Sequence, residues 1–484
     1  MNYKMMGRFI AQILALEIVF MLPALLISVG YGEKLAVEAF FYAMAIMAAI
    51  AGVLLLFTRG STKGFYAREG LVCVGSSWIV LSLVGCLPFY FSGAIPNYVD
   101  ALFEIVSGFT TTGASILSDV ESLPKGMLYW RSFTHWLGGM GVLVFLLAVV
   151  PKNDKSMGFT MHLMRAESPG PDVGKLVPRM KKTATILYLL YIGLTVINIL
   201  FLLAGRMHWL EALCTAFGTA GTGGFGVRND SVASFSPYIQ NVTTVFMFLF
   251  GVNFSCYYLL LLRQVRNVLK DEELRLYIGL AFVSVVLIIF DIRDLYGSLG
   301  ETIRHAAFQV SSIMTTTGYG TTDFDLWPSF SKTVLLGLMV VGACAGSTGG
   351  GFKCGRILLV VKSLRRSIQK MLSPRKIQVV RSNGKPVSED VLHNTNAYLA
   401  AYVMILLISF LLVSVDGQSI ETNLSAVLAC FNNIGPGMDA VGPICNYALY
   451  SGFSKLVLTF DMLAGRLEIF PILVLLSGST WKRR

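Results

Sequence analysis

Ten apolar stretches, near residues 9–29, 36–57, 70–91, 129–150, 184–204, 239–262, 275–293, 331–361, 395–415 and 453–479, recur along the chain. Each approaches the ~20 residues that a helix needs to cross the hydrocarbon core of a bilayer. Backbone inside lipid must satisfy its own hydrogen bonds, so the pattern restricts the chain to a polytopic, all-α membrane protein. A 55% share of hydrophobic residues, 14% charged residues and a mean hydropathy of +0.66 exclude an ordinary soluble domain. The first stretch follows only Lys4 and Arg8, yet its length, its internal Glu17 and its lack of a small-residue cleavage pattern mark a retained helix. Within 331–361 the run is oddly broken by Gly346-Ser347-Thr348-Gly349-Gly350-Gly351.

The formal net charge of +11 would point a soluble protein toward nucleic acid. Threading ten spans from a cytoplasmic N-terminus gives a different reading. Most Lys and Arg then lie in cytoplasmic segments: Arg59 to Arg68, Lys152 to Lys182, Arg263 to Arg275, Lys353 to Lys385, and Lys482-Arg483-Arg484. Basic residues stay inside. The charge therefore reports topology: a multi-pass chain in a lipid bilayer, both termini cytoplasmic, with no nucleic-acid partner.

Four glycine-bearing stretches then share the external side: Thr110-Thr111-Thr112-Gly113, Ala220-Gly221-Thr222-Gly223, Thr315-Thr316-Thr317-Gly318 and Asn432-Asn433-Ile434-Gly435. Each follows a mildly apolar segment too short to span: Val99 to Phe109, Trp209 to Thr219, His305 to Met314 and Leu424 to Phe431. One such loop reads as a turn. Four at equivalent places read as a ring, because threonine supplies a hydroxyl beside its carbonyl and glycine lets carbonyls turn toward one axis. Such loops replace the hydration shell of a small cation, and the negative ends of the preceding short helices favour it further.

The loops divide the chain into an N-terminal hairpin at 1–69 and four pore repeats, at 70–155, 156–268, 269–392 and 393–484. Each repeat reads as outer helix, pore helix, filter and inner helix, in pseudo-fourfold arrangement around one pore. Ala101-Leu102-Phe103 and Ala306-Ala307-Phe308 stand at one offset from Gly113 and Gly318, the mark of an internal repeat. Aligned on the last glycine the loops read TTTGAS, AGTGGF, TTTGYG and NNIGPG, which sets Gly223 beside Gly113, Gly318 and Gly435. One shared glycine per loop implies potassium preference with loose discrimination against sodium and rubidium.

The cysteines at 73, 86, 214, 256, 344, 354, 430 and 445 form no Cys-x-x-Cys pair and read as small hydrophobes. His135, His162, His208, His305 and His393 show no metal-ligand spacing. No P-loop, nucleophile elbow or dinucleotide fingerprint occurs, so an enzyme and a nucleotide site in this chain are excluded.

The four repeats, their loops, the run Ala343-Cys344-Ala345-Gly346-Ser347-Thr348-Gly349-Gly350-Gly351-Phe352-Lys353 and Leu463-Ala464-Gly465-Arg466-Leu467-Glu468 resemble the TrkH family of bacterial potassium-uptake proteins, in the wider Trk/Ktr/HKT superfamily. The resemblance covers essentially the whole chain. It implies K+ as the transported ion, the bacterial inner membrane, a homodimer with one pore per protomer, and assembly with a TrkA-like cytosolic ring of nucleotide-binding RCK domains.

Gly346 to Gly351 is too rich in glycine to stay helical cheaply, at up to about 1 kcal/mol per glycine. Arg466 places a charge in the last inner helix, where it must face a cavity or a partner. Together they read as a gate below the filter. The alternative function is a potassium symporter coupled to sodium or protons, for which the sequence lacks paired mid-membrane carboxylates.

Overall fold

The computed structural model describes residues 3–59, 67–139, 141, 180–376 and 378–481. The basic connections at 60–66 and 152–179, residues 142–151 at the end of the 129–150 apolar stretch, and Lys482-Arg483-Arg484 lie outside the described residues.

Two long helices, Tyr3–Gly30 and Lys34–Phe57, form the N-terminal hairpin and pack on the first repeat. Their turn caps that repeat: Glu33 accepts hydrogen bonds from the backbone N–H of Lys125 (2.5 Å) and Gly126 (3.2 Å), at the start of the first inner helix. Glu17 is 2% exposed and faces the bundle at Gly85 and Phe109, as a lone intramembrane carboxylate should.

Four outer helix, pore helix, inner helix units follow. Their outer helices are Ala67–Gly85 with Leu87–Phe91, Met180–Ala204, Glu272–Ile292 and Glu389–Val413. The pore helices are Tyr98–Phe109, Trp209–Gly221, Leu299–Met314 and Ile420–Phe431. Each starts on a side-chain cap, from Asn97, His208, Ser298 and Ser419 in turn. Each also carries an acid in its first turn: Asp100, Glu211, Glu301 and Glu421. Acids there complement the positive end of the helix dipole, so the negative ends all point into the glycine loops.

The inner helices correct the expectation of a single break. Pro237–Phe250 turns by 89° into Phe254–Leu261. Ser329–Val341 gives way to a loop before Cys354–Leu372, and Gly452–Arg466 is cut from Phe470–Leu476. The first inner helix is described over Lys125–Gly139, and Gly141 beyond it takes φ of +73°. Among the described residues, six helices are long and apolar enough to cross a membrane, or seven with the bent pair. The others are short because their freed backbone groups find partners inside the protein, the condition for broken helices at membrane depth.

The breaks in the second and third inner helices supply each other. Cys344 N–H donates to Gly251 O (3.1 Å), Phe254 N–H to Gly346 O (3.0 Å) and Thr348 Oγ1 to Phe250 O (3.2 Å). On the side where the third inner helix ends, an Asn383-Gly384 turn joins Arg381–Ser382 to Lys385–Pro386 in a small antiparallel hairpin.

Candidate functional site

The four glycine loops meet in one ring. A methyl group built on Gly113 would overlap the carbonyl oxygen of Gly223; on Gly224, that of Thr317; on Gly318, that of Ile434. On Gly435 it would stand 2.7 Å from the carbonyl of Thr112, which closes the circuit in the order first, second, third, fourth, first. Only residues lacking a side chain permit such an approach.

The ring shifts the second loop by one residue. Thr111, Thr316 and Asn433 take positive φ (55°, 59° and 56°), followed two residues on by Gly113, Gly318 and Gly435. In the second loop these positions are Thr222 (55°) and Gly224 (78°). The pore-helix ends agree, since Thr112, Gly223, Thr317 and Ile434 each donate N–H to the carbonyl five residues back. Gly224, not Gly223, is thus the counterpart of Gly113, Gly318 and Gly435, and Ala220 belongs to the pore helix. Gly223 is instead the flat residue that admits the His135 ring.

Around the ring the polar side chains are buried and mostly committed. Thr110 Oγ1 and Thr112 Oγ1 are 2.7 Å apart, as are those of Thr315 and Thr317. Asn433 Nδ2 donates across the ring to Thr112 Oγ1 (3.0 Å). Tyr447 donates its hydroxyl to Gly435 O (2.7 Å). His135 accepts from Phe225 N–H at Nε2 (3.3 Å), so its Nδ1 carries the proton and donates to Gly108 O (2.8 Å).

An ion pair missed in the sequence ties the first two loops together. Arg131 and Glu104 are 2.6 Å apart and essentially buried. Glu104 also accepts from Ser115 Oγ (3.0 Å) and Ile116 N–H (2.9 Å), just past the first loop. Arg131 donates to Gly226 O (3.0 Å), past the second, and its guanidinium lies 3.5 Å from the Phe225 ring centre. Removing one member of a buried pair strands the other. Arg131→Met is expected to cost about 3–5 kcal/mol, read as a lower unfolding midpoint in detergent.

Beyond the mouth of the ring, Asp439 accepts from Ser419 Oγ (2.5 Å) and Thr422 Oγ1 (2.6 Å), and these bonds hold its carboxyl below the usual range. Nearby Asp325 is pushed up to about 6 by partial burial, against the opposing pull of Lys332.

On the other side of the ring lies the loop at 342–353. Gly350 N–H donates to Thr316 Oγ1 (2.6 Å), and a methyl on Gly349 would approach Thr315 O within 2.9 Å. Arg466 reaches the same loop. It donates to Thr348 O (2.8 Å), Gly139 O (2.7 Å) and Gly138 O, joining the last residues of Lys125–Gly139 to the breaks of the third and fourth inner helices. Gly346 to Gly351 and Arg466 are therefore brought together directly under the filter loops. Lys353, read in the sequence as the end of a motif and the start of the cytoplasmic basic segment Lys353 to Lys385, is instead 2% exposed and donates to Gly349 O. Glu468 turns away from Arg466 to pair with Arg356, whose guanidinium stacks on Tyr398.

The TrkH family profile, described as a cation transport protein, matches residues 36–483. The Trk system potassium uptake protein TrkH of Escherichia coli is 36% identical over 470 residues, 95% of each chain. The protein of that name from Halomonas elongata is 32% identical over 491 residues, the full length of both. The crystal structure of the potassium transporter TrkH from Vibrio parahaemolyticus superposes with a TM-score of 0.87 at 30% identity, covering 100% of both chains. With its four repeats, N-terminal hairpin and closed ring of loops, the chain belongs to the TrkH family of cation transport proteins.

Proposed function

We propose that this chain takes up potassium across the bacterial inner membrane through the four-loop ring. The observation that carries the reading is the circuit of contacts from Gly113 through Gly224, Gly318 and Gly435, which sets four backbones around one axis. Carbonyls of Thr110 to Gly113, Gly221 to Gly224, Thr315 to Gly318 and Asn432 to Gly435 replace the water around a dehydrated cation. Units at 1–69, 70–155, 156–268, 269–392 and 393–484 act as hairpin and pore repeats, with both termini cytoplasmic. The relatives named for potassium uptake support K+ as cargo. The test is flux through the purified chain in liposomes. Current reversing at the potassium equilibrium potential with no second ion gradient supports the reading; strict dependence on a sodium or proton gradient replaces it with symport.

The loop at Gly346 to Gly351 and Arg466 form the gate, and the chain works as a homodimer under a cytosolic RCK ring. The helix Cys354–Leu372 leads from the loop to Lys362, Arg365, Arg366, Lys370, Arg375 and Lys376. Lys362 is engaged by Glu272, and Arg366 by Glu389 (3.1 Å at the second oxygen), while Arg365, Lys370, Arg375 and Lys376 are exposed. Those four present the docking charge. Reversing them is expected to abolish capture of the cytosolic partner in detergent; capture that survives assigns the charge to anionic lipid, worth about 1 kcal/mol per basic residue.

A further inference from the structure

The gate loop hangs from the third inner helix, but a side chain from a different helix closes its neck. Glu273 lies in the first turn of the third outer helix, Glu272–Ile292. Its Oε1 accepts Ala345 N–H at 2.6 Å and Gly355 N–H at 2.8 Å. These two residues flank Gly346 to Gly351 on either side. A single oxygen thus pins the entering and the leaving strand to one point. Gly355 is fitted to this contact, since a methyl group there would stand 2.9 Å from Oε1.

The surroundings give the contact a direction. Asp271 accepts from Asn383 Nδ2 (2.8 Å) and Glu272 pairs with Lys362, so the same turn grips Cys354–Leu372 and the hairpin beyond it. Glu272 and Asp271 hold exposed groups, whereas Glu273 holds backbone N–H groups at the root of the loop. A backbone donor removed from water and deprived of its acceptor is costly, and two depend on this oxygen.

We propose that Glu273 is the positioning residue of the gate: its carboxylate clamps the neck of the 346–351 loop shut, and movement of Cys354–Leu372 opens the pore by breaking this clamp. The inference rests on the gate reading above. Nothing in the clamp requires Glu273 to touch the ion. It acts on the loop through Ala345 and Gly355.

Two native thiols report on the neck independently of transport. Cys344 and Cys354 sit beside the clamped residues and are 1% and 0% exposed, while Cys73 is equally buried in the first repeat. The experiment uses the purified full-length chain in liposomes without its partner, comparing the parent with Glu273→Gln and Glu273→Ala. N-ethylmaleimide labelling of each cysteine is followed by peptide mass spectrometry, beside potassium flux. Glu273→Ala is expected to speed labelling of Cys344 and Cys354 about tenfold or more, with Cys73 still protected, and to raise flux. Glu273→Gln should fall between, since its amide oxygen still accepts but without charge assistance.

Protection of Cys344 and Cys354 unchanged in Glu273→Ala overturns the clamp. Labelling that rises while flux does not would keep the clamp and overturn the gate reading instead. Should Glu273→Ala also expose Cys73, the milder Glu273→Gln decides by the same comparison: selective labelling at the neck supports the clamp, and parent-like protection overturns it.

Discussion

Gly318→Ser is expected to lower potassium-over-sodium permeability by about tenfold, equivalent to ~1.4 kcal/mol. Gly318 has φ of +88°, where a side chain costs roughly 1–2 kcal/mol. Its new Cβ would overlap Ile434 O and approach Pro436 Cδ at 2.8 Å, so the carbonyl must rotate from the axis or the loops must part. Either movement spoils a fixed cage more for the ion that fits it than for one that does not. Gly113→Ser meets Gly223 O in the same way. Gly224→Ser joins this class because Gly224, at φ +78°, faces Thr317 O. Reversal potentials in mixed potassium and sodium gradients are the measurement. Parent-like ratios in folded Gly113→Ser and Gly318→Ser would remove the ion-selecting role of the ring.

Deleting Gly346 to Gly351 is expected to raise partner-free potassium flux by orders of magnitude, and Arg466→Ala to raise it less. The loop lies against Thr315 O, Thr316 Oγ1 and Asn432 O at the inner rim of the ring, and the proposed gate works by its bulk there. Arg466 holds Thr348 to the first inner helix and adds a fixed positive charge. Repulsion between unit charges 4 Å apart is of order 4 kcal/mol at an effective dielectric of 20, an upper bound of about a thousandfold in rate. Selectivity should stay near the parent value, since Gly113, Gly224, Gly318 and Gly435 keep their partners. Both variants reaching the membrane with parent-like flux would place the gate elsewhere.

Much of the fold was legible because its signals are local. The short pore helices announce themselves by length, although Ser298 and Ser419 begin two of them earlier than the apolar run suggests. The second filter was misaligned because Gly223-Gly224 offers two glycines, and only the backbone tells which one turns. The third inner-helix break was visible in its glycines. The fourth was not: Glu468 and Ile469 take φ of +59° and +62° without a glycine, a strained choice for a β-branched residue that packing must enforce. The roles of Glu104, Arg131, His135 and Glu273 escaped notice because each acts on partners distant in sequence. No local pattern links Glu273 to Gly355, or His135 to Gly108 and Phe225.

The ring has a genetic consequence as well. In a filter assembled from identical subunits, one codon change alters every quadrant together. Here each quadrant has its own codons. The positions facing a neighbouring loop through their carbonyls are Thr112, Gly223, Thr317 and Ile434, four positions with three residue types. The backbone oxygen is common to all, so each side chain is free to serve its own surroundings. A change at one of them perturbs a quarter of the cage and leaves three quarters standing. If the ring selects the ion as proposed, variation can therefore adjust ion preference in small steps, through intermediates that still conduct.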